Sequence, residues 1–572
     1  MVVENITTEK TGWFRENCYK ILFSFLAFFI YSALFFARSY DDNRSTSWQD
    51  VFTVANPVNV FYLLSICIPA VWLLSKLSFP ERYPSFFLFC SSFTIAAFFW
   101  SVPEAVVDTS RYFMQAKHLE LYGAGFFLRE WGRAITVWTD MPVVPFFYGL
   151  IFRFFGESRI YIQIFSTLLF SLSTVLTYGI GKKLWDADTG FYAGLLLLGI
   201  PYLFSQIPLM LVDVPVMFFL LLAIFSFIHA IEKGKAIRIF SSSFAITLAF
   251  YSKYSMGMML SVLIVLALTY HTALPKIRTS VYLTRVFGIF LATAFLTGMV
   301  FVYKYDCMSE QIRLLVSYQK PGLQKWGESF ISTFFFQIHP LLTLFAAFSS
   351  YAAWRKKDIR YFAILWLVAL VIFLQIRRIR YIIMVFPMLT LMASYGLQRI
   401  REKTNIRFIS LSVVAFSIAV GVSAYLPFLQ GYSASNLQNA GKYLDALKVT
   451  GAEVFTVTSK SSVANPAVLV AILDLYTKAQ LRYNYDEKTA YPAEKTATSP
   501  LRFSWEYKNP QYYRVTEKTA AGGSSAVVII SDGIAEELRG ELKQKVSGLG
   551  KKVSFDITDN IYEFQPVVAV YY

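Results

Sequence analysis

Two isolated acids, one lysine and a short run of arginines stand out in a chain that is otherwise poor in charge. Asp108 in VVDTS and Asp213 in LMLVDVPVMFF each sit at the edge of a long apolar run. An acid at the end of a membrane span, flanked by apolar sequence, is a functional candidate by default, because such surroundings penalise a charge that nothing uses. Capping of the following helix, or hydration among lipid head groups, is the plainer alternative for both. Lys253, in AFYSKYSMG, interrupts what would be one apolar stretch, and a lysine alone there snorkels to the interface. The segment IRRIRY carries Arg377, Arg378 and Arg380 immediately before the span that begins at Tyr381. An arginine fork holds phosphate through paired donors, so this cluster suits a lipid head group or a lipid-linked substrate; ordinary contact with anionic lipid is the competing reading. The histidines His118, His229, His271 and His339 show no ligand spacing, and the 4 cysteines show no zinc or disulfide pattern. Neither a phosphate-cradling Walker loop nor a dinucleotide fingerprint occurs.

Membrane spans must position these groups. Of the 572 residues 56% are hydrophobic and only 16% charged, with mean hydropathy +0.48, whereas soluble chains are about a quarter charged. A span takes about 20 mostly apolar residues, and inside lipid each must be a helix that satisfies its own backbone. Thirteen uncharged runs, from Ile21–Ala37 to Phe408–Leu429, are candidate spans. Ile239–Ser252 is the weakest, reaching only about 21 Å at about 1.5 Å per residue. The first run lacks a small-residue cleavage site and reads as a retained helix. The net charge of +16 comes from alternate short loops, at Lys182–Lys183, Lys233–Arg238, Lys276–Arg285, Arg355–Arg360 and Arg399–Arg407. It therefore speaks for membrane orientation and not for a nucleic-acid partner. The positive-inside rule puts the N-terminus in the cytoplasm and the C-terminus outside, in a multi-pass protein of the cell membrane. Arg377, Arg378 and Arg380 then lie on the outer face, against the bias.

Three regions are expected: residues 1–103 with three transmembrane helices, a membrane domain over 104–430, and a small soluble α/β domain over 431–572. In the last, Val454–Thr458, Ala526–Ile530 and Val553–Ile557 read as strands, Pro466–Gln480 and Ile534–Leu549 as helices. Glu487–Pro510 reads as a polar loop. No internal repeat of 20–50 residues is evident.

From Glu104 to Arg399 the order of motifs resembles the GT-C membrane glycosyltransferases, on the branch of protein O-mannosyltransferases and lipid A aminoarabinose transferases (glycosyltransferase family 39-like). Asp108 with Tyr112 matches the first acidic motif, and Asp213 the second. Asp140-Met141-Pro142-Val143 stands where the family often has Lys-Pro-Pro-Leu. Gly156-Glu157-Ser158-Arg159 and Gly181-Lys182-Lys183-Leu184 flank the intervening span. Lys253 matches the lysine of a Leu-Thr-Lys-Gly-Pro-like element, and Arg380-Tyr381 with Pro387 a late Arg-Tyr element. Thr109 replaces the Glu that often follows the first acid, and Asp140 replaces a lysine.

The resemblance implies a GT-C-like body of about thirteen helices and an inverting transfer of a sugar from a polyprenyl-phosphate donor to a protein, lipid or glycan acceptor outside the cytoplasm. Asp108 would take the acceptor's proton. Asp213 would position acceptor or sugar, or help hold a divalent ion. Tyr112, Asp140, Lys253, Arg377, Arg378, Arg380 and Tyr381 would line the substrate site, the arginines facing the departing phosphate. No cofactor is implied as certain. Two acids do not define a metal site, so no metal ligand is assigned and a divalent cation stays open. The alternative is a transporter or flippase of a lipid-linked or anionic substrate. Transporters place charges near the midplane, often in repeated halves, whereas these acids lie at span ends. A non-catalytic anchor would leave the shared face of the acids and arginines without a reason.

Overall fold

The protein is described here by a computed structural model covering residues 2–77, 79–273, 277–320, 327–458, 462–485, 501–514, 525–532, 540–559 and 564–572. It is an α-helical membrane protein with a small C-terminal α/β domain. Among the described residues seven helices are long and apolar enough to cross a membrane: Asn17–Phe36, Pro57–Leu74, Arg159–Leu184, Asp213–Lys233, Thr279–Tyr303, Ile379–Leu397 and Lys403–Gln430. Five shorter apolar helices, including Val143–Phe155 and Tyr361–Phe373, pack with them.

Several apolar runs that read as single spans are broken. Thr189–Val212 forms a helix Ala187–Leu196, a 3-10 turn Leu197–Gly199 and a second helix Pro201–Gln206. Pro201 starts that second helix because it lacks the N–H that a continuing helix would need. Almost the whole run is buried against other helices, so the irregular backbone meets protein and not lipid. Ser329–Trp354 breaks at His339, whose Nδ1 accepts a hydrogen bond from the Leu341 N–H at 3.1 Å and so caps the helix Pro340–Lys356. Tight contacts fix the packing of the others. A Cβ on Gly181 would lie 2.6 Å from Gly190 Cα, which is how Arg159–Leu184 lies directly on Ala187–Leu196; small residues allow such approach.

The basic loops share one end of the bundle. Lys183 pairs with Glu232, Arg285 Nη1 donates to Ile231 O at 2.6 Å, Arg360 Nη1 to Leu184 O at 2.6 Å and Arg399 Nη2 to Ala352 O at 3.1 Å. Cations there also complement the negative ends of the helix dipoles. Asp213 and Arg380 sit at the starts of their helices, at the opposite end.

The C-terminal domain has a five-stranded sheet in the order β2-β1-β3-β5-β4, formed by β1 Gly451–Val457, β2 Gln480–Tyr483, β3 Ser525–Asp532, β4 Lys552–Phe555 and β5 Pro566–Tyr571. β1 pairs in parallel with β2 and β3, and β5 antiparallel with β3 and β4. Three strands fall where the apolar runs predict them; β2 and β5 are additional. The expected helix Pro466–Gln480 is shorter, a 3-10 turn Pro466–Val468 and a helix Leu469–Asp474, and Gln480 begins β2. Residues 486–500 and 533–539, parts of the expected loop and second helix, lie outside the described residues. The domain seats on the segment after the third expected span. Glu104 N–H donates to Tyr476 Oη at 2.6 Å, and Lys117 Nζ reaches Asp474 at 2.5 Å and Glu157 at 3.0 Å.

Candidate active site

Asp108 immediately precedes the helix Thr109–Glu130, Asp213 begins Asp213–Lys233, Lys253 occupies the turn after Ala236–Phe250, and Arg380 lies in the first turn of Ile379–Leu397. Four separate elements thus deliver four charged groups to one place. Arg380 Nη1 donates to Asp108 Oδ2 at 2.7 Å and Nε to Asp213 Oδ2 at 2.8 Å, so one guanidinium bridges both acids. Lys253 Nζ donates to the other Asp213 oxygen at 2.6 Å. Arg111 Nη2 donates to Asp108 Oδ1 at 3.1 Å and lies 3.3 Å from Asp140 Oδ1. Gln115 Nε2 donates to Asp140 Oδ2 at 3.0 Å. Three carboxylates and three cations therefore interlock, which is what makes buried charge tolerable: each ion is paired and hydrogen-bonded.

The environment separates the acids. Burial disfavours the charged form of Asp108, but the Arg380 and Arg111 guanidinium groups outweigh it and hold its carboxyl well below the usual carboxylate range. Asp140 is pushed up to about 6, chiefly by burial, with Asp108 adding to the rise and Arg111 opposing it.

The other residues singled out in the sequence divide. Tyr381 lies between Lys253, whose Nζ is 5.5 Å from its ring centroid, and Arg378, whose Cζ is 5.3 Å away. Tyr112 is buried beside Arg111. Arg377 stands apart: it is exposed and donates from Nη2 to Gln375 Oε1 at 2.9 Å. The arginine run is thus not one patch: among the described residues only Arg380 hydrogen-bonds the acids, while Arg378 acts on Asp108 through its charge. The Nη2 of Arg380 makes no hydrogen bond to a described residue.

Four further contributors carried no prediction, and Glu104, the next candidate for the base after Asp108, has a different role. Arg111 ties Asp108 to Asp140, and its spacing three residues after Asp108 on one helix was a usable signal. Glu104 accepts from Arg159 Nε at 2.8 Å, from Thr109 Oγ1 at 3.0 Å and from the Met210 N–H at 3.1 Å; it is a fully engaged tie that holds the segment before Asp108 to the one before Asp213. Trp138 has φ +52°, strained for a bulky side chain. The C-terminal domain supplies Arg502, with Cζ 5.7 Å from the Trp138 ring centroid, and Phe503, whose ring centroid lies 4.2 Å from Arg111 Cζ. Among the described residues no group of three His, Cys, Asp or Glu is arranged to hold a metal ion, and Asp108 and Asp213 spend their oxygens on cations of the protein.

Residues 140–300 match the family model described as dolichyl-phosphate-mannose-protein mannosyltransferase. The matched stretch contains Asp140, Asp213 and Lys253, so the resemblance to GT-C membrane glycosyltransferases extends through half of the charged cluster. Among solved structures the fold is similar to that of ArnT from Cupriavidus metallidurans bound to undecaprenyl phosphate, with TM-score 0.48 and 13% identity over 84% of this chain and 97% of that one. It is similar also to the oligosaccharyltransferase AglB from Archaeoglobus fulgidus in complex with an inhibitory peptide and a dolichol-phosphate, with TM-score 0.45 and 11% identity over 80% of this chain and 70% of that one. No curated protein matches the sequence.

Proposed function

We propose that this is a GT-C-type glycosyltransferase that moves a sugar from a polyprenyl-phosphate donor to a protein, lipid or glycan acceptor at the non-cytoplasmic face. The observation that carries the reading is the single guanidinium of Arg380 joining Asp108 to Asp213 at the starts of two helices, in a chain whose residues 140–300 match a mannosyltransferase family that uses a polyprenyl-phosphate sugar. No observation favours transport: the paired charges lie at helix starts, at the end of the bundle covered by the soluble domain.

In the proposed reaction the acceptor hydroxyl attacks the anomeric carbon, the new carbon–oxygen bond forms, the bond to the phosphate oxygen breaks, and the hydroxyl proton passes to Asp108. Asp108 is held ionised by its two arginines, so at neutral pH it is in the form that accepts a proton. It is a weak base for the same reason, and the transfer is expected late, as the hydroxyl becomes acidic on bonding to carbon. The free Nη2 of Arg380 is the donor placed to meet charge growing on the departing phosphate. Asp213, locked by Lys253 and Arg380, positions the sugar or acceptor. Tyr112, Tyr381 and Asp140 belong to the substrate walls, and Arg378 with Arg377 to the lipid side. Basic loops at the other end of the bundle support a cytoplasmic N-terminus and an extracytoplasmic soluble domain.

The test is mass analysis of lipid-linked sugars and surface glycans in a deletion strain. One polyprenyl-phosphate sugar should accumulate, and reappear as transferred product when the purified protein is added to it with the acceptor fraction. Unchanged lipid-linked sugars and glycans in the deletion strain would remove the proposal.

A further inference from the structure

The end of the bundle opposite the carboxylates holds a cavity of about 720 Å³ lined by Lys356, Lys357, Arg360 and Arg399, with Trp185 and Tyr395 among its walls. The two sites are far apart. Arg159–Leu184, whose first residue is tied to Glu104 and whose last accepts from Arg360, has 26 residues, or about 39 Å.

Two acids also line the cavity: Asp358 is paired with a cation and Asp186 caps a helix while keeping its charge, so the four cations still exceed the acids. Asp358 accepts from Trp185 Nε1 at 2.9 Å and from Arg360 Nε at 3.1 Å. Asp186 caps the helix Ala187–Leu196, accepting from the Thr189 N–H at 2.7 Å. Among the described residues Lys356, Lys357 and Arg399 pair with no carboxylate. Cations at helix C-termini offset the dipole, and Lys356 does so for Pro340–Lys356. That role needs neither a concavity nor a third cation brought in from another helix. Lys357 continues into the left-handed region, φ +55°, and so turns the chain around the cavity. The rings of Trp185 and Tyr395 lie 4.9 Å apart, and Trp354 and Phe362, on the two helices that flank the lysines, are exposed. Aromatic and apolar surface beside uncompensated cations at a span's end is the pattern of a head-group level.

We infer that this cavity binds a phosphate-bearing anion, and specifically the head group of an anionic phospholipid from the leaflet facing the basic loops. The cations supply the phosphate contacts and the exposed aromatic surface takes the start of the acyl chains. The inference stands apart from the proposed transfer reaction and is tested without it. Full-length protein, purified in detergent, is exposed to phosphatidylglycerol, phosphatidylcholine or inorganic phosphate. Retained lipid is counted by native mass spectrometry and thermal stabilisation is recorded in parallel. Wild type should retain phosphatidylglycerol over phosphatidylcholine. Lys356→Gln/Lys357→Gln changes two exposed residues and should fold normally. It should weaken phosphatidylglycerol retention roughly fivefold per lysine, about thirtyfold for the pair, as follows from about 1 kcal/mol per basic residue near an anionic surface. The control Lys233→Gln/Lys235→Gln removes two basic residues from the same end but outside the cavity, and should retain the lipid. Stabilisation of wild type but not of the cavity variant by inorganic phosphate alone, with no lipid preference, would support the phosphate site and assign it to a soluble anion. Equal retention in the cavity variant and wild type, or equal loss in the control, would overturn the inference.

Discussion

Replacing Arg380 by lysine tests the bridge between the two acids most directly. Arg380 holds Asp108 at 2.7 Å and Asp213 at 2.8 Å through two different nitrogens, a geometry that needs a rigid planar fork. Lysine keeps the charge but offers one compact head on a flexible stem. It can satisfy one carboxylate well and leaves the other with one cation, Arg111 for Asp108 or Lys253 for Asp213. The net loss is about one charge-assisted hydrogen bond, about 1.5–3 kcal/mol, which is roughly ten- to a hundredfold in rate. Because the broken bond orients the acids, kcat at saturating donor should fall, accompanied by weaker donor use if Nη2 meets the phosphate. Arg380→Gln removes the charge as well. It leaves the buried Asp213 and the half-buried Asp108 each short of a partner, at a cost of about 3–5 kcal/mol, and should lower the thermal midpoint clearly more than lysine does. The assay is transfer by purified protein in nanodiscs at varied donor concentration, with a melting curve for each variant. Unchanged kcat in Arg380→Lys, with only a raised KM for donor, would refute the bridging role and leave Arg380 as a phosphate clamp alone.

Three further outcomes are expected. Asp108→Asn should reduce transfer by about 10²–10⁴-fold with normal expression and insertion; near-normal turnover would remove the base assignment, and Glu104 would not replace it, because Arg159, Thr109 and Met210 already occupy its oxygens. Asp140, pushed up to about 6, binds a proton in the folded protein where the unfolded chain has released it, so its contribution to stability is present below its ordinary value and lost as pH rises through about 6. For activity the sense is reversed: below about 6 Asp140 is neutral, Arg111 turns wholly to Asp108, and transfer should decline. Burial also pushes Asp41 up to about 6, so the assignment rests on Asp140→Asn flattening the acid limb; an unaltered limb in that variant would reject it. A C-terminal reporter that works only in the cytoplasm should be silent, since the basic loops and the soluble domain lie at opposite ends of the bundle; an active reporter would invert the orientation.

How far the site could be read from the chain depends on what kind of signal each residue leaves. Asp108, Asp213, Lys253 and Arg380 are legible one by one because each puts a charge where apolar sequence surrounds it, and lipid or a dry interior admits such a charge only for cause. Their partnership is not legible from charge: only the Arg380-Tyr381 element of the resemblance sets Arg380, which turns into the protein, apart from Arg377, which turns out, and the short helical turn at Ile379–Ile382 decides the direction of each. Hydropathy located long apolar helices such as Arg159–Leu184 and Asp213–Lys233 for the same reason that it missed the breaks in other runs. Thr189–Val212 is surrounded by protein on every side, so it is apolar all round, and Gly199, Pro201 and Pro208 hint that its helix stops and restarts on the way to Asp213. β3 is visible as the apolar run of a buried strand, while β2 is a short segment whose strand character comes from its partner β1. Phe503 and Arg502 leave no trace at all, since their relation to Arg111 and Trp138 exists only once the soluble domain is seated through Lys117, Asp474 and Tyr476. The same seating has a chemical consequence. It lays an aromatic ring over Arg111 and so limits water beside the cation that tunes both Asp108 and Asp140. In a drier site each of those pairings is stronger, which links the soluble domain to the acidity of the carboxylates without giving it a reacting group.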